Sequence, residues 1–235
     1  MEVVEFTYMG EMIEFKSNGG TATGYLATPA NPNGGALVVV QEWWGLVPHI
    51  KDLCDRFAAE GYYALAPDLY GGKAASEPDE AGKFMMALEV SKFSKDLSGA
   101  ADAVMAAAGS DKCGAVGFCM GGGLALVLAA QRPDAVTAVA PFYGVIAWPE
   151  AAPDYSGMTA AVQGHYAEFD DFMPPESSKA LGVHLRELGK SADIYVYDGT
   201  HHAFFNDTRP EVYDAEASST AWNRLLPFFA EHVAK

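Results

Sequence analysis

Between an apolar run ending at Val116 and another beginning at Leu124, the chain places Gly117-Phe118-Cys119-Met120-Gly121-Gly122-Gly123. A buried strand that hands over to an apolar helix with no polar linker must turn a sharp corner. The corner residue, Cys119, then takes backbone angles that side chains normally avoid. Glycines two before and two after it remove the Cβ atoms that would crowd the neighbouring strand and helix. The pattern is G-x-S-x-G, the nucleophile elbow, with sulfur in place of oxygen. Taken alone, the stretch supports a second account equally well. A free cysteine is commonly a small buried apolar group, and a glycine run lets a helix pack close to a strand.

The flanking sequence supplies the context. Alternating segments at Val3 to Tyr8, Met12 to Lys16 and Thr23 to Thr28, with Ser17-Asn18-Gly19-Gly20 as a turn, predict antiparallel edge strands. Gly35 to Gln41 is continuously apolar, as a central strand covered on both faces must be. Ile50, Leu53, Cys54, Phe57 and Ala58 recur at helical spacing, and Gly61 stops that helix. Tyr62 to Ala66 reads as a strand. A long helical stretch from about Asp79 to Ala108 is expected in two pieces, broken near Ser98-Gly99. Further strands are expected at Lys112 to Phe118, Val136 to Ala140, Thr159 to Gly164 and Asp193 to Tyr197, with helices at Pro175 to Leu188 and Glu216 to Val233. Strands alternating with helices imply a mainly parallel sheet with helices on both faces, here with antiparallel strands at its N-terminal edge. No repeat, low-complexity tract or composition shift divides the chain, so residues 1–235 read as one domain.

Charge narrows the partners. A formal net charge of −16, with no block of Lys or Arg, argues against nucleic acid and against an anionic membrane surface. The apolar runs are too short to span a bilayer, and Met1 to Glu5 holds two acids and no basic stretch of a secretory signal, so the expectation is cytoplasmic. Cys54, Cys113 and Cys119 are odd in number and lack pair or metal spacing, hence free thiols in a reducing compartment. Cys54 lies on a helical apolar stripe and Cys113 opens a strand; both read as structural.

In an open parallel sheet the loops at the carboxyl ends of the strands line the site. The one after the Thr159 strand is expected to hold His165-Tyr166-Ala167-Glu168-Phe169-Asp170-Asp171, and the one after the Asp193 strand Asp198-Gly199-Thr200-His201-His202-Ala203-Phe204-Phe205. Nucleophile, acid, histidine is the chain order of an α/β-hydrolase triad. A thiol attacks as thiolate, a histidine within reach takes its proton, and a carboxylate behind the histidine fixes the tautomer. A developing oxyanion needs two backbone donors, for which the N–H groups of Met120 and Trp43 are best placed. Either aspartate and either histidine fits these roles, though adjacent histidines should not both face the site. Glu42 follows a buried strand directly and so falls on the site side of the sheet. His49, His184 and His232 read as structural or solvated. With no H-E-x-x-H and no cysteine pair, no metal site is expected.

Together these residues give the chain a recognisable pattern. Gln41-Glu42-Trp43-Trp44-Gly45, Ala66-Pro67-Asp68-Leu69-Tyr70-Gly71, Gly117-Phe118-Cys119-Met120-Gly121-Gly122, Glu168-Phe169-Asp170-Asp171-Phe172-Met173-Pro174 and His202-Ala203-Phe204 resemble the dienelactone hydrolase family over nearly the whole length. The resemblance implies an α/β-hydrolase fold, Asp170 as the acid, His202 as the histidine, and Glu42 as a group that interacts with the resting thiol and helps deliver the thiolate. It further implies hydrolysis of a small-molecule lactone or ester through a covalent thioester, without metal or organic cofactor. A monomer or homodimer is expected. The family's best-known members hold a substrate carboxylate with two arginines. Here Asn206 follows His202-Ala203-Phe204-Phe205, the stretch from Asp79 to Ser98 holds only Lys83, Lys92 and Lys95, and Arg209 is a weak substitute. An apolar pocket walled by Trp43, Trp44, Phe172 and Phe205, with Tyr143 and Asn206 nearby, is expected instead. The alternatives are a carboxylesterase or thioesterase with a non-lactone substrate, or a non-catalytic binding or redox-sensing protein on the same scaffold.

Overall fold

The computed structural model describes residues 9–17, 19–144 and 146–234. Strands β1 (Glu11–Ser17), β2 (Gly20–Ala27), β3 (Ala36–Val40), β4 (Tyr63–Pro67), β5 (Cys113–Phe118), β6 (Val136–Phe142), β7 (Ala161–Phe169) and β8 (Ala192–His201) form one eight-stranded sheet in the order β1-β2-β4-β3-β5-β6-β7-β8. The β1–β2 and β2–β4 pairs are antiparallel and every later pair is parallel. The strand expected at Val3 to Tyr8 lies outside the described residues.

The helices are α1 (Pro48–Ala59), α2 (Pro78–Met86), α3 (Val90–Ala108), α4 (Met120–Gln131), α5 (Pro175–Glu187) and α6 (Ala215–His232). Period-two alternation explains why the central strands read as unbroken apolar runs. Ala36, Val38 and Val40 of β3 enter the core layer shared with Leu97 and Val104 of α3, Leu124 and Leu128 of α4 and Leu185 of α5. Leu37 and Val39 face the opposite layer, with Ile50, Leu53 and Phe57 of α1 and Leu225 and Phe229 of α6. The α4 helix is buried nearly all round, which is why its sequence shows no polar stripe. Among the described residues no helix is long and apolar enough to cross a membrane.

Two expectations need correcting. The helical stretch breaks at Ala87-Leu88-Glu89, not at Ser98-Gly99. Gly99 lies inside α3, where a Cβ would come 2.5 Å from the Lys16 carbonyl oxygen, so this glycine permits a close approach to β1 and does not end the helix. The last two strands also run further than their apolar cores. β7 continues through Phe169 and β8 through His201, paired to each other, so His165 is a buried strand residue. Burial holds its imidazole neutral, with a pKa near 3.

Candidate active site

Cys119 joins β5 to α4 with φ 54° and ψ −122°, in a region non-glycine residues seldom enter. Its N–H donates to the Phe142 carbonyl at 3.0 Å, and its own carbonyl accepts from Gly122 N–H at 2.9 Å. A Cβ at Gly117 would overlap the Gly121 carbonyl oxygen, and one at Gly121 would overlap the carbonyl oxygens of Val40 and Gln41. The corner therefore tolerates only hydrogen at both places. Cys119 is partly open to solvent, whereas Cys54 and Cys113 are buried. Burial pushes the Cys54 thiol well up and the Cys113 thiol up to about 12, as suits packed, unreactive sulfur.

Asp170 follows β7 and His202 follows β8. The Asp170 side chain is fully buried; its Oδ1 accepts from the N–H groups of Phe172 at 2.9 Å and Met173 at 3.0 Å. Its Oδ2 stands 2.8 Å from His202 Nδ1. An ionised carboxylate can only accept, so Nδ1 carries the proton. His202 Nε2 is buried and completes no hydrogen bond of proper geometry; the Cys119 sulfur beside it acts on it electrostatically. Burial works to lower the His202 pKa, but Asp170 and Cys119 outweigh it and raise the value to about 10. The alternative acid, Asp171, is exposed and lies on the cavity wall instead.

Glu42 is 1% exposed at the end of β3. Its carboxylate accepts from the Tyr143 hydroxyl at 3.3 Å and from Asn206 Nδ2 at 2.9 Å. Asn206 is fixed in turn, its Oδ1 accepting from Thr208 N–H at 3.1 Å and the Thr208 hydroxyl at 2.6 Å. Tyr143 has φ 39°, and its ring centroid lies 5.0 Å from that of His202. Burial, then the Glu42 and Cys119 charges, push its hydroxyl far above the usual range, so it stays a donor. The Trp43 carbonyl accepts from the Tyr70 hydroxyl at 3.0 Å, which ties the loop after β3 to the loop after β4. Met120, as the first residue of α4, has an N–H with no carbonyl to bond within the helix.

These groups open onto a cavity of about 490 Å³ walled by Trp43, Trp44, Pro78, Met85, Ala147, Phe169, Phe172 and Val212, with Cys119, Met120 and His202 at its floor. Of the residues proposed for the pocket, Trp44 and Phe172 stand on this wall. Tyr143, Phe205 and Asn206 do not: Tyr143 and Asn206 are buried behind it on Glu42, and Phe205 is packed on Phe118 with ring centroids 5.7 Å apart. Both adjacent histidines reach the cavity, against expectation. β8 ends between them and Ala203 turns at φ 67°, so His201 lies exposed at the rim beside Phe169 and His202 sits deeper. His49 is buried with Nδ1 3.2 Å from Asp207 Oδ1, His184 is exposed, and His232 rests against Phe228. Sequence reasoning missed Met85 and Pro78 on α2, whose approach to the elbow no local pattern signals. It also missed Phe169, hidden by the underestimated length of β7.

A mostly parallel eight-stranded sheet with a cysteine at its central strand-to-helix corner, and an aspartate and a histidine joined beyond the last two strands, defines an α/β-hydrolase. Residues 22–233 match the dienelactone hydrolase family. "Protein usf" of Aquifex pyrophilus is 36% identical over 239 residues, covering 96% of this chain and 100% of the relative. A "Putative carboxymethylenebutenolidase" of Aquifex aeolicus (strain VF5) is 34% identical over 236 residues, with 96% and 100% covered. The crystal structure of a "Putative Dienelactone Hydrolase" from Klebsiella pneumoniae subsp. pneumoniae superposes with a TM-score of 0.81 at 29% identity, over 94% of this chain and 100% of that one. The chain belongs to the dienelactone hydrolase family and is a hydrolase of the lactone or ester type.

Proposed function

We propose that the protein hydrolyses a small-molecule lactone or carboxylic ester through a thioester on Cys119. His202 takes the thiol proton, and the thiolate adds to the substrate carbonyl. The N–H groups of Met120 and Trp43 receive the oxyanion. Collapse expels the alcohol oxygen, which takes the proton back from the imidazolium. Water, deprotonated by His202, then attacks the thioester; the acid leaves and the thiolate is restored. Asp170 holds the imidazole in its working tautomer. Glu42, anchored by Tyr143 and Asn206, adds negative charge behind the thiol and modulates its ionisation.

The observation that carries this reading is the 2.8 Å bond between His202 Nδ1 and a fully buried Asp170 carboxylate, with Nε2 left beside Cys119. A binding or redox protein has no physical need for that relay. Incubation with an activated ester followed by mass spectrometry is expected to find acyl groups on Cys119, and Cys119→Ala should abolish turnover while the fold persists. Ester hydrolysis surviving in Cys119→Ala would refute the assignment.

A further inference from the structure

Among the described residues, Arg209 is the one Lys or Arg side chain on the cavity wall, and it is already engaged. Glu211 Oε1 lies 2.9 Å from its Nε and 2.8 Å from its Nη2, filling the edge of the guanidinium that takes a carboxylate side-on. The Trp44 ring stands 5.8 Å from the same guanidinium. The turn holding both residues is stiff. Pro210 separates them with its fixed φ, Arg209 N–H donates to the Asn206 carbonyl at 3.1 Å, and the Arg209 carbonyl accepts from Val212 at 3.1 Å and Tyr213 at 3.0 Å. A second acid, Asp171, is exposed on the wall and forms no ion pair among the described residues. The wall outside the triad thus carries one cation against two acids, in a chain whose formal net charge is −16.

We propose that the Arg209–Glu211 pair is a specificity element that sets this site for neutral esters and lactones and against substrates bearing a free carboxylate. This rests on the cavity being the substrate site of the proposed hydrolase. Glu211 acts through Arg209: its carboxylate occupies and neutralises the only cation an anionic substrate would find there. The pair is partly exposed, with side-chain accessibilities of 32% and 59%, so screening keeps its effect moderate.

The test uses the full chain and a matched pair of probes, para-nitrophenyl hydrogen adipate and para-nitrophenyl methyl adipate, which differ in charge and little else. The quantity read is the ratio of kcat/KM for the anionic ester to that for the neutral one. Wild type should favour the neutral ester, and Glu211→Gln should raise the ratio roughly two- to fivefold by releasing Arg209. Glu211→Asp, which keeps the charge, should stay near wild type. Adding Arg209→Gln to Glu211→Gln should cancel the gain, a coupling that loss of packing would not produce. A wild-type preference for the anionic ester, or a ratio that Glu211→Gln leaves unchanged, would overturn the proposal. Tryptophan-fluorescence titration of the same variants with benzoate and benzamide reads the same charge preference without chemistry. If Cys119→Ala still hydrolysed esters while the binding ratio followed Glu211, the catalytic assignment would fall and the specificity element would stand.

Discussion

The charge of the site turns on His202. Burial opposes a charge on its imidazole, while the Asp170 carboxylate and the Cys119 sulfur favour it strongly enough to carry the pKa from 6.5 to about 10. That displacement corresponds to roughly 5 kcal/mol of preference for the charged form, as an order of magnitude. Cys119→Ala removes both of the sulfur's contributions and leaves burial opposed by Asp170 alone, so the His202 pKa should fall. The pH dependence of stability has a definite sign. A raised pKa stabilises the fold fully below the unfolded value near 6.5, and the gain disappears as pH climbs through about 10. Urea midpoints of wild type should thus decline between those limits, and those of Cys119→Ala should decline less. Imidazole NMR resonances, assigned with a His202→Gln variant, read the titration directly. A wild-type His202 titrating at or below 6.5 would refute the reasoning.

Three further outcomes are expected. Asp170→Asn keeps the size of the side chain but offers His202 the wrong tautomer; kcat/KM should fall about 10²- to 10⁴-fold with the circular dichroism spectrum unchanged. Tyr70→Phe frees the Trp43 carbonyl from its 3.0 Å bond, at a cost of about 0.5–1.5 kcal/mol in urea unfolding. Loosening the loop that carries the proposed oxyanion donor should also lower kcat roughly tenfold. Gly121→Ala drives a methyl into the carbonyl oxygens of Val40 and Gln41, costing about 1–3 kcal/mol or more in denaturant titration and nearly all ester turnover, since α4 and the elbow must shift together.

The elbow was legible because its requirement is local. Gly117 and Gly121 exclude side chains on account of atoms within a few residues or on the adjacent strand, and any chain that turns this corner needs them. The two-sided core was legible for a similar reason: Val38 and Val39 report their opposite faces by position alone. The cavity wall was not. Met85 reaches it from α2, whose Phe84 rests on Tyr70 of the loop after β4 with ring centroids 5.5 Å apart, and Phe205 leaves it because the aromatic cluster with Phe118 and Phe142 offers a better-packed place. Both outcomes depend on tertiary contacts between segments far apart in sequence, which periodicity does not encode.

The choice of His202 over His201 depends on a feature of the same non-local kind, the register between β7 and β8. Ala167 pairs with Tyr197, but two residues later Phe169 pairs with His201, so β8 spends two extra residues in a bulge. Unbroken pairing would set Phe169 against Gly199 and bring Thr200 abreast of Asp170. The bulge instead brings His202 beside Asp170, just past the last rung. It has its own supports: Gly199 adopts φ 73°, its N–H donates to Glu168 Oε2 at 2.7 Å, and the Thr200 hydroxyl donates to the Tyr197 carbonyl at 2.7 Å. A glycine supplies the left-handed turn and a neighbouring acid caps the freed N–H, so the irregularity is built in. The tail Asp198-Gly199-Thr200 reads as an ordinary loop because the Gly199 partner, Glu168, lies across the sheet on β7. The bulge is thus what converts two separate strand ends into a joined acid and base.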